Sequence, residues 1–373
     1  MLALLESIAE YISWKQLIMY LVGIVLIYLA IAKKMEPTLL LPMGFGAILV
    51  NIPFSGAINQ GDSAGAIEWL FRVGIEASEI LPLLLFIGIG AMLDFGPLLS
   101  NPKLIFIGAA GQAGIFITIA IATLCGFNIQ EAASIGIIGA ADGPTSILVA
   151  TKLLGNGTIY GAIIVAAYCY MALVPIIQPF VIKSCTTKKE RLIKMDYNPK
   201  NVSKFAKIAF PIVITLIAGF LAPASVSLVG FLMFGNLIKE CGVLDGLSET
   251  ASKTLTNLVT LVLGFSIAMT MQADKFVNIN TLIVMCLGLL AFIFDTAVGI
   301  FFVKFINLFS KKKINPMVGA AGISAFPMAS RIVQQMGVKE DPNNFLLMHA
   351  ASANIAGQVA SAIAGGVILS FFL

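Results

Sequence analysis

Charged side chains are scarce in this chain, at 11% of residues against about 25% in a soluble domain. No polar stretch is long enough to fold as a second, water-exposed domain. Histidine occurs once, and the five cysteines (Cys125, Cys169, Cys185, Cys241, Cys286) lie far apart with no CxxC pair. A disulfide framework and a zinc site are therefore not expected, and the thiols are read as reduced. A Walker A sequence and a GxSxG elbow are missing as well, so nucleotide hydrolysis in this chain is not the energy source. The apolar runs do not alternate with polar residues, which excludes a membrane barrel. With a net charge of only +4 and lysines confined to short loops, no nucleic-acid partner is expected.

What the chain has is apolar length. Of its 373 residues, 59% are hydrophobic, and the mean hydropathy is +0.98. A helical span needs roughly 20 apolar residues, and the reading is an all-α polytopic membrane protein. Spans are expected at 16–32, 37–53, 80–93, 103–125, 157–184, 206–222, 225–239, 256–271, 277–309 and 343–372, with 64–79, which carries Glu68, Arg72 and Glu76, as an amphipathic interfacial piece. The opening MLALLESIAE holds Glu6 and Glu10 where a secretory signal would hold basic residues, so the expectation is that it is retained. Lys33 and Lys34 end the first span on the cytoplasmic side, which leaves the N-terminus outside. Residues 183–207 carry seven Lys and one Arg, and Lys311, Lys312 and Lys313 mark a second basic turn. Four crossings separate the two, so both are cytoplasmic. The expected division is 1–35 as an N-terminal membrane helix, 36–185 as a first membrane repeat, 186–205 as a basic linker and 206–373 as a second repeat.

Two segments are rich in Gly, Ala, Ser and Pro: EAASIGIIGAADGPTSILVATK (131–152) and INPMVGAAGISAFPMASRIVQQ (314–335). Proline removes a backbone donor and glycine relaxes the helix, so both are expected to break near the midplane. GFGAIL (44–49) matches MFGNLI (233–238), 86–105 matches 264–283, and GAAD (139–142) matches GAAG (319–322), in the same order. With the first segment entering from outside and the second from the cytoplasm, this is the pattern of an inverted-topology repeat whose ions bind between two discontinuous helices. The alternative is that Gly- and Ala-rich helices resemble one another by composition.

Asp142, in GAADGPTS, is the most informative residue. A carboxylate at bilayer depth costs several kcal/mol without a partner or cavity. Thr145, Ser146 and the carbonyls freed by Pro144 are oxygen donors, and one negative charge with several neutral oxygens suits Na+. The second segment supplies Asn315 and Ser324 as further neutral oxygens, with Gly319 and Gly322 allowing close approach. Arg331 offers a positive fork for a carboxylate, or serves as a cytoplasmic anchor. The Tyr168 hydroxyl lies on an apolar span and wants a partner, whereas Tyr170 is read as an interfacial belt residue. Asn354 reads as a helix–helix hydrogen bond, and Asp295 and His349 as packing polar groups.

At GAADGPTSI, NPMVGAAGISAFPMASR and ANIAGQ the chain closely resembles the membrane β subunits of sodium-pumping, biotin-dependent decarboxylases acting on oxaloacetate, glutaconyl-CoA or methylmalonyl-CoA. The likeness runs from about residue 16 to the end. It implies a subunit that decarboxylates carboxybiotin, consuming an external proton while Na+ moves outward. Biotin would be carried by a partner and not by this chain. The expected partners are a carboxyltransferase α subunit, a biotin carrier and a small membrane-anchored subunit, in a complex of the bacterial inner membrane that contains several copies of this chain. By the resemblance Asp142 is the sodium-site aspartate and Tyr168 the functional tyrosine, while Asn315, Gly319, Ser324 and Arg331 match the polar second motif and Asn354 the asparagine of the last span. With the residue reading of Thr145 added, the expected sodium ligands are Asp142, Thr145, Asn315, Ser324 and Asn354, the expected catalytic residues Asp142, Tyr168 and Arg331, and the expected carboxybiotin contacts Arg331 and Tyr168. The rival reading is a sodium-coupled solute symporter on the same plan.

Overall fold

The computed structural model describes residues 13–61, 63–155, 157, 159–196 and 202–372. The acidic opening with Glu6 and Glu10, and residues 197–201 of the basic linker, lie outside them. Among the described residues the regular structure is helical, with eight helices long and apolar enough to cross a bilayer. A ninth span results if the bent pair Ala66–Glu76 and Ile80–Met92, which meet at 66°, counts as one.

Capping residues explain where the helices begin. Ser13 caps α1 (Trp14–Ala32) through a capping box with Gln16. Then follow α2 (Pro37–Asn51), α3 (Ala66–Phe71, continued by a π turn over Arg72–Glu76) and α4 (Ile80–Met92). The next span is interrupted at Gln112, which divides it into α5 (Leu104–Gly111) and α6 (Ala113–Leu124). Asn128, boxed with Glu131, starts α7 (Ile129–Gly136). After a break at 137–142 comes α8 (Gly143–Leu154), and α9 (Tyr160–Cys185) leads to the linker. The second half contains α10 (Lys204–Leu221), α11 (Val226–Cys241), α12 (Thr256–Ala268), α13 (Ile279–Phe309), α14 (Met317–Ala320), α15 (Met328–Glu340) and α16 (Leu347–Ser370). Four of the helices long and apolar enough to cross a bilayer lie between the linker and the basic turn at 311–313.

In lipid, helices gain little from hiding apolar side chains, so association rests on close approach at small residues. Gly46 of α2 abuts Ala268 of α12, and Gly235 of α11 and Gly90 of α4 each lie against the other helix's backbone. Asn51 fastens the end of the α1–α2 hairpin. It donates to the carbonyls of Ala47 (2.7 Å) and Met271 (2.9 Å) and accepts from the Ala273 amide (2.7 Å).

Tyr170 departs from the belt expectation. It is 6% exposed, and its hydroxyl donates to the Met285 carbonyl on α13. The spacing of two residues from Tyr168 does not keep it out of the interior, because α9 is packed on several sides and buries most of its circumference.

The linker is more than a tether. Arg191 donates to Glu340 (2.7 Å) and Lys194 pairs with Asp341 (2.9 Å), so the chain following α9 lies along the end of α15. Burial alone would raise the Glu190 carboxyl, but the Thr187 amide, the Lys304 ammonium and the Thr187 hydroxyl hold it below the usual carboxylate range.

Candidate ion site at the meeting of two broken helices

The first broken segment ends α7 in a 3-10 turn over Ile137–Ala140. Ala141 then takes a left-handed conformation (φ 53°), and Asp142 opens α8 as its cap. Left-handed backbone is costly for a residue with a Cβ, so the surroundings must hold it in place. The second segment breaks between α14 and α15. The two meet where the Ser324 amide donates to the Ala140 carbonyl at 2.9 Å. Neither unwound stretch has a helix to satisfy its carbonyls, and in lipid an unsatisfied backbone group costs several kcal/mol. Three buried carboxamides take up that task in the second break: Gln178 donates to the Ala320 carbonyl (2.8 Å), Gln112 to Gly322 (3.0 Å) and Asn354 to Ile323 (2.5 Å).

Asp142 is 2% exposed and, among the described residues, has no cationic neighbour within ion-pair distance. Its Oδ2 accepts from the Thr145 hydroxyl (2.7 Å), the Ser361 hydroxyl (2.8 Å) and the Gln358 amide (3.0 Å). The Ser146 hydroxyl donates to the Asp142 carbonyl (2.9 Å). The ring of Tyr168 lies against Gly143, where any Cβ would collide with it, and its buried hydroxyl makes no hydrogen bond. The Ser324 hydroxyl donates to the Gly357 carbonyl (3.0 Å), and the Asn354 side-chain oxygen is buried without a partner. One carboxylate, several hydroxyl and amide oxygens and unpaired carbonyl-type oxygens form a donor set for a hard, singly charged cation.

The fold therefore sets Thr145 and Tyr168 against Asp142 and Gly143, with Ser324 and Asn354 at the adjoining second break. Asn315 is not joined to them. Its amide donates to the carbonyls of Arg191 (2.9 Å) and Ile193 (2.8 Å), and its oxygen accepts from the Met317 amide (3.0 Å). Those bonds tie the second segment to the linker and use the groups that were expected to face the ion. Arg331 is exposed on α15, and the charged group that acts on it is Glu36, at the start of α2. Gln358 and Ser361 were missed by reading the sequence. Their signal is there, since Asn354, Gln358 and Ser361 stand at i, i+4 and i+7, a polar stripe on one face of an otherwise apolar helix.

A multi-pass membrane protein with an uncompensated carboxylate where two broken helices touch is an ion-translocating protein by construction. Comparison with known proteins gives the particular kind. The family model for the Na+-transporting oxaloacetate decarboxylase beta subunit matches residues 15–372, and the chain belongs to that family. It is 48% identical over 358 residues to the glutaconyl-CoA decarboxylase subunit beta of Acidaminococcus fermentans, covering 96% of this chain and 93% of that protein. To the methylmalonyl-CoA decarboxylase subunit beta of Veillonella parvula it is 50% identical over 353 residues (95% and 92% covered). To the oxaloacetate decarboxylase beta chain of Klebsiella pneumoniae it is 43% identical over 416 aligned positions (96% and 95% covered). The chain is a membrane subunit of a decarboxylase sodium pump.

Proposed function

We propose that the chain decarboxylates carboxybiotin presented by a partner subunit and couples this to outward Na+ movement, with Asp142 as the residue that binds the ion and exchanges it for a proton. The observation that carries the reading is the buried Asp142 carboxylate, met by Thr145, Gln358 and Ser361 and by no cation. Such a group is stable at bilayer depth only when a proton or a metal cation neutralises it. Proton and Na+ then compete for the same oxygens, and alternating occupancy is the coupling.

Carboxybiotin is the substrate here, and its carboxyl group is the one lost. Arg331, exposed in the first turn of α15, is a cationic group available to dock that carboxylate. Tyr168, against Gly143, is placed to ligate the ion or hold a proton beside Asp142. A water-poor interior favours loss of CO2, since the carboxylate there is poorly solvated.

Two repeats of opposite orientation, 36–185 and 206–373, supply the alternating access. Support comes from the packing. Gly46 and Gly235 are 189 positions apart, Gly90 and Ala268 178 apart, matching the offsets of the internal repeat. Gly46 lies against Ala268 and Gly235 against α4 near Gly90, so matching residues make matching contacts. The partners in this reading are a carboxyltransferase subunit, a biotin carrier and a small membrane subunit, in the bacterial inner membrane, with several copies of this chain per complex.

The test is co-purification followed by reconstitution in liposomes. A biotinylated partner and Na+ movement that requires a carboxybiotin source are expected. Na+-driven solute uptake by the chain alone would instead establish a symporter.

A further inference from the structure

Asp295 lies in the middle of α13 and is 0% exposed, yet it belongs to none of the contacts around Asp142. Neither of its oxygens makes a hydrogen bond of normal geometry. The groups that face it are the backbone amides of Gly114 and Ile115, in the first turn of α6, and Gly139 in the first break, where a Cβ would meet Oδ2. Gly139 precedes Asp142 by three residues. Two buried carboxylates thus flank one break, Asp142 turned to α16 and Asp295 reaching it from α13. Thr118, one turn beyond Gly114 on α6, has a second buried hydroxyl without a partner.

Among the described residues no lysine or arginine is buried, and no charged side chain from α6, the first break or α14 acts on Asp295. Of the titratable groups of α9 beside this helix, Cys169 and Tyr170 gather with Cys286 near Met285, ten residues away, and Cys185 lies by Lys304, nine residues the other way; α7, which also packs on α13, carries Glu131, engaged in its capping box with Asn128. The partial positive charge at the start of α6 offsets only part of an ionised carboxylate's cost in lipid. A metal cation needs several oxygens, while the facing groups here are N–H donors and a glycine α-carbon. A proton is the ligand that remains.

We propose that Asp295 is a second proton-binding carboxylate of the pump core, holding its proton on the α13 side of the first break. With Asp295 protonated, the break that holds Asp142 carries no second negative charge. What that does for Asp142 rests on the reading of Asp142 as the sodium site, whereas the protonation of Asp295 does not.

The experiment is infrared spectroscopy of the full chain in liposomes at neutral pH, with carbon-13-labelled aspartate, in wild type, Asp142→Asn and Asp142→Asn combined with Asp295→Asn. In Asp142→Asn a label-shifted carbonyl stretch of a protonated carboxylic acid is expected, because the aspartates at the surface are ionised there. Its absence overturns the proposal, and this arm needs no change at Asp295. Asp295→Asn introduced into the Asp142→Asn variant should lose the same component, and its persistence also overturns the proposal. Sodium added to wild type should leave the Asp295 component in place, so a failure of the Asp142 reading shows separately, as a spectrum in which no component responds to Na+.

Discussion

Ser324 and Ala140, 184 residues apart in the chain, are joined backbone to backbone by a 2.9 Å hydrogen bond. Each stands in an unwound stretch that cannot satisfy its own polar groups, and each supplies what the other lacks. The contact sets the first break against the second and leaves Asp142 facing α16. Any movement that carries one segment past the other must exchange this bond for another.

Asp142→Asn should abolish sodium-dependent decarboxylation while the protein still inserts and assembles. Hydrogen bonds and ion contacts to a charged group contribute about 3 kcal/mol, which is a loss of about 100-fold or more in turnover. Assays of turnover against Na+ in reconstituted complex check this, and retained sodium stimulation in the variant would end the assignment.

Ser361→Ala and Gln358→Ala should raise the Na+ concentration needed for half-maximal turnover by about 10-fold each, with the maximal rate less affected, since each removes one bond to Asp142 worth about 1.5 kcal/mol. Asn315→Ala should leave sodium dependence alone and loosen the linker, because its bonds go to Arg191 and Ile193. A sodium effect in Asn315→Ala that equals that of Ser361→Ala would contradict the site drawn here.

On the proposed mechanism proton and sodium compete for Asp142, so apparent Na+ affinity should weaken as pH falls, and Na+ should lower the proton affinity by the same coupling free energy. Tyr168→Phe should keep sodium binding, as Asp142 remains, yet turn over more slowly. Turnover measured over a grid of Na+ and pH tests both statements; an Na+ affinity that is flat with pH means separate groups serve the two ions.

Glu190 links the linker to α13 through Lys304 at 3.0 Å and accepts from the Thr187 amide at 2.7 Å. Its carboxyl is held below the usual range in the folded protein. A depressed folded value gives stability that is present above the unfolded value of about 4.3 and lost as pH falls through the folded one. Protection factors of the amides of residues 187–193, with the intrinsic pH dependence of exchange divided out, should therefore be constant from neutral pH to about that value and fall below it, and Glu190→Gln should remove the dependence.

Gly357 carries the closest helix approach at the site, with the Gly322 carbonyl where a Cβ would stand. Gly357→Ala should destabilise the fold by about 1 to 3 kcal/mol through overpacking and disturb the Ser324 bond to the same residue. Thermal unfolding in detergent and turnover should fall together.

Much of this protein was legible in the sequence. Apolar length follows from the cost of putting charge in lipid, which acts residue by residue, so the all-helical membrane class and most of the long helices could be read directly, whereas 37–53 was expected as a full span and forms only a 15-residue helix. The broken segments were legible because glycine and proline act locally on the backbone. Asp142 stood out for the same reason, as one carboxylate in such a segment. Partnership was not legible, since it depends on which faces meet. Asn315 looked like an ion ligand by residue type, and only the path of the linker decided that its amide serves Arg191 and Ile193. Gln358 and Ser361 were passed over until the rotation of α16 set their face on Asp142, and Tyr170 looked like a belt residue until α13 covered it. Residue chemistry fixes what a side chain can bind, and only the tertiary structure decides what comes within 3 Å of it.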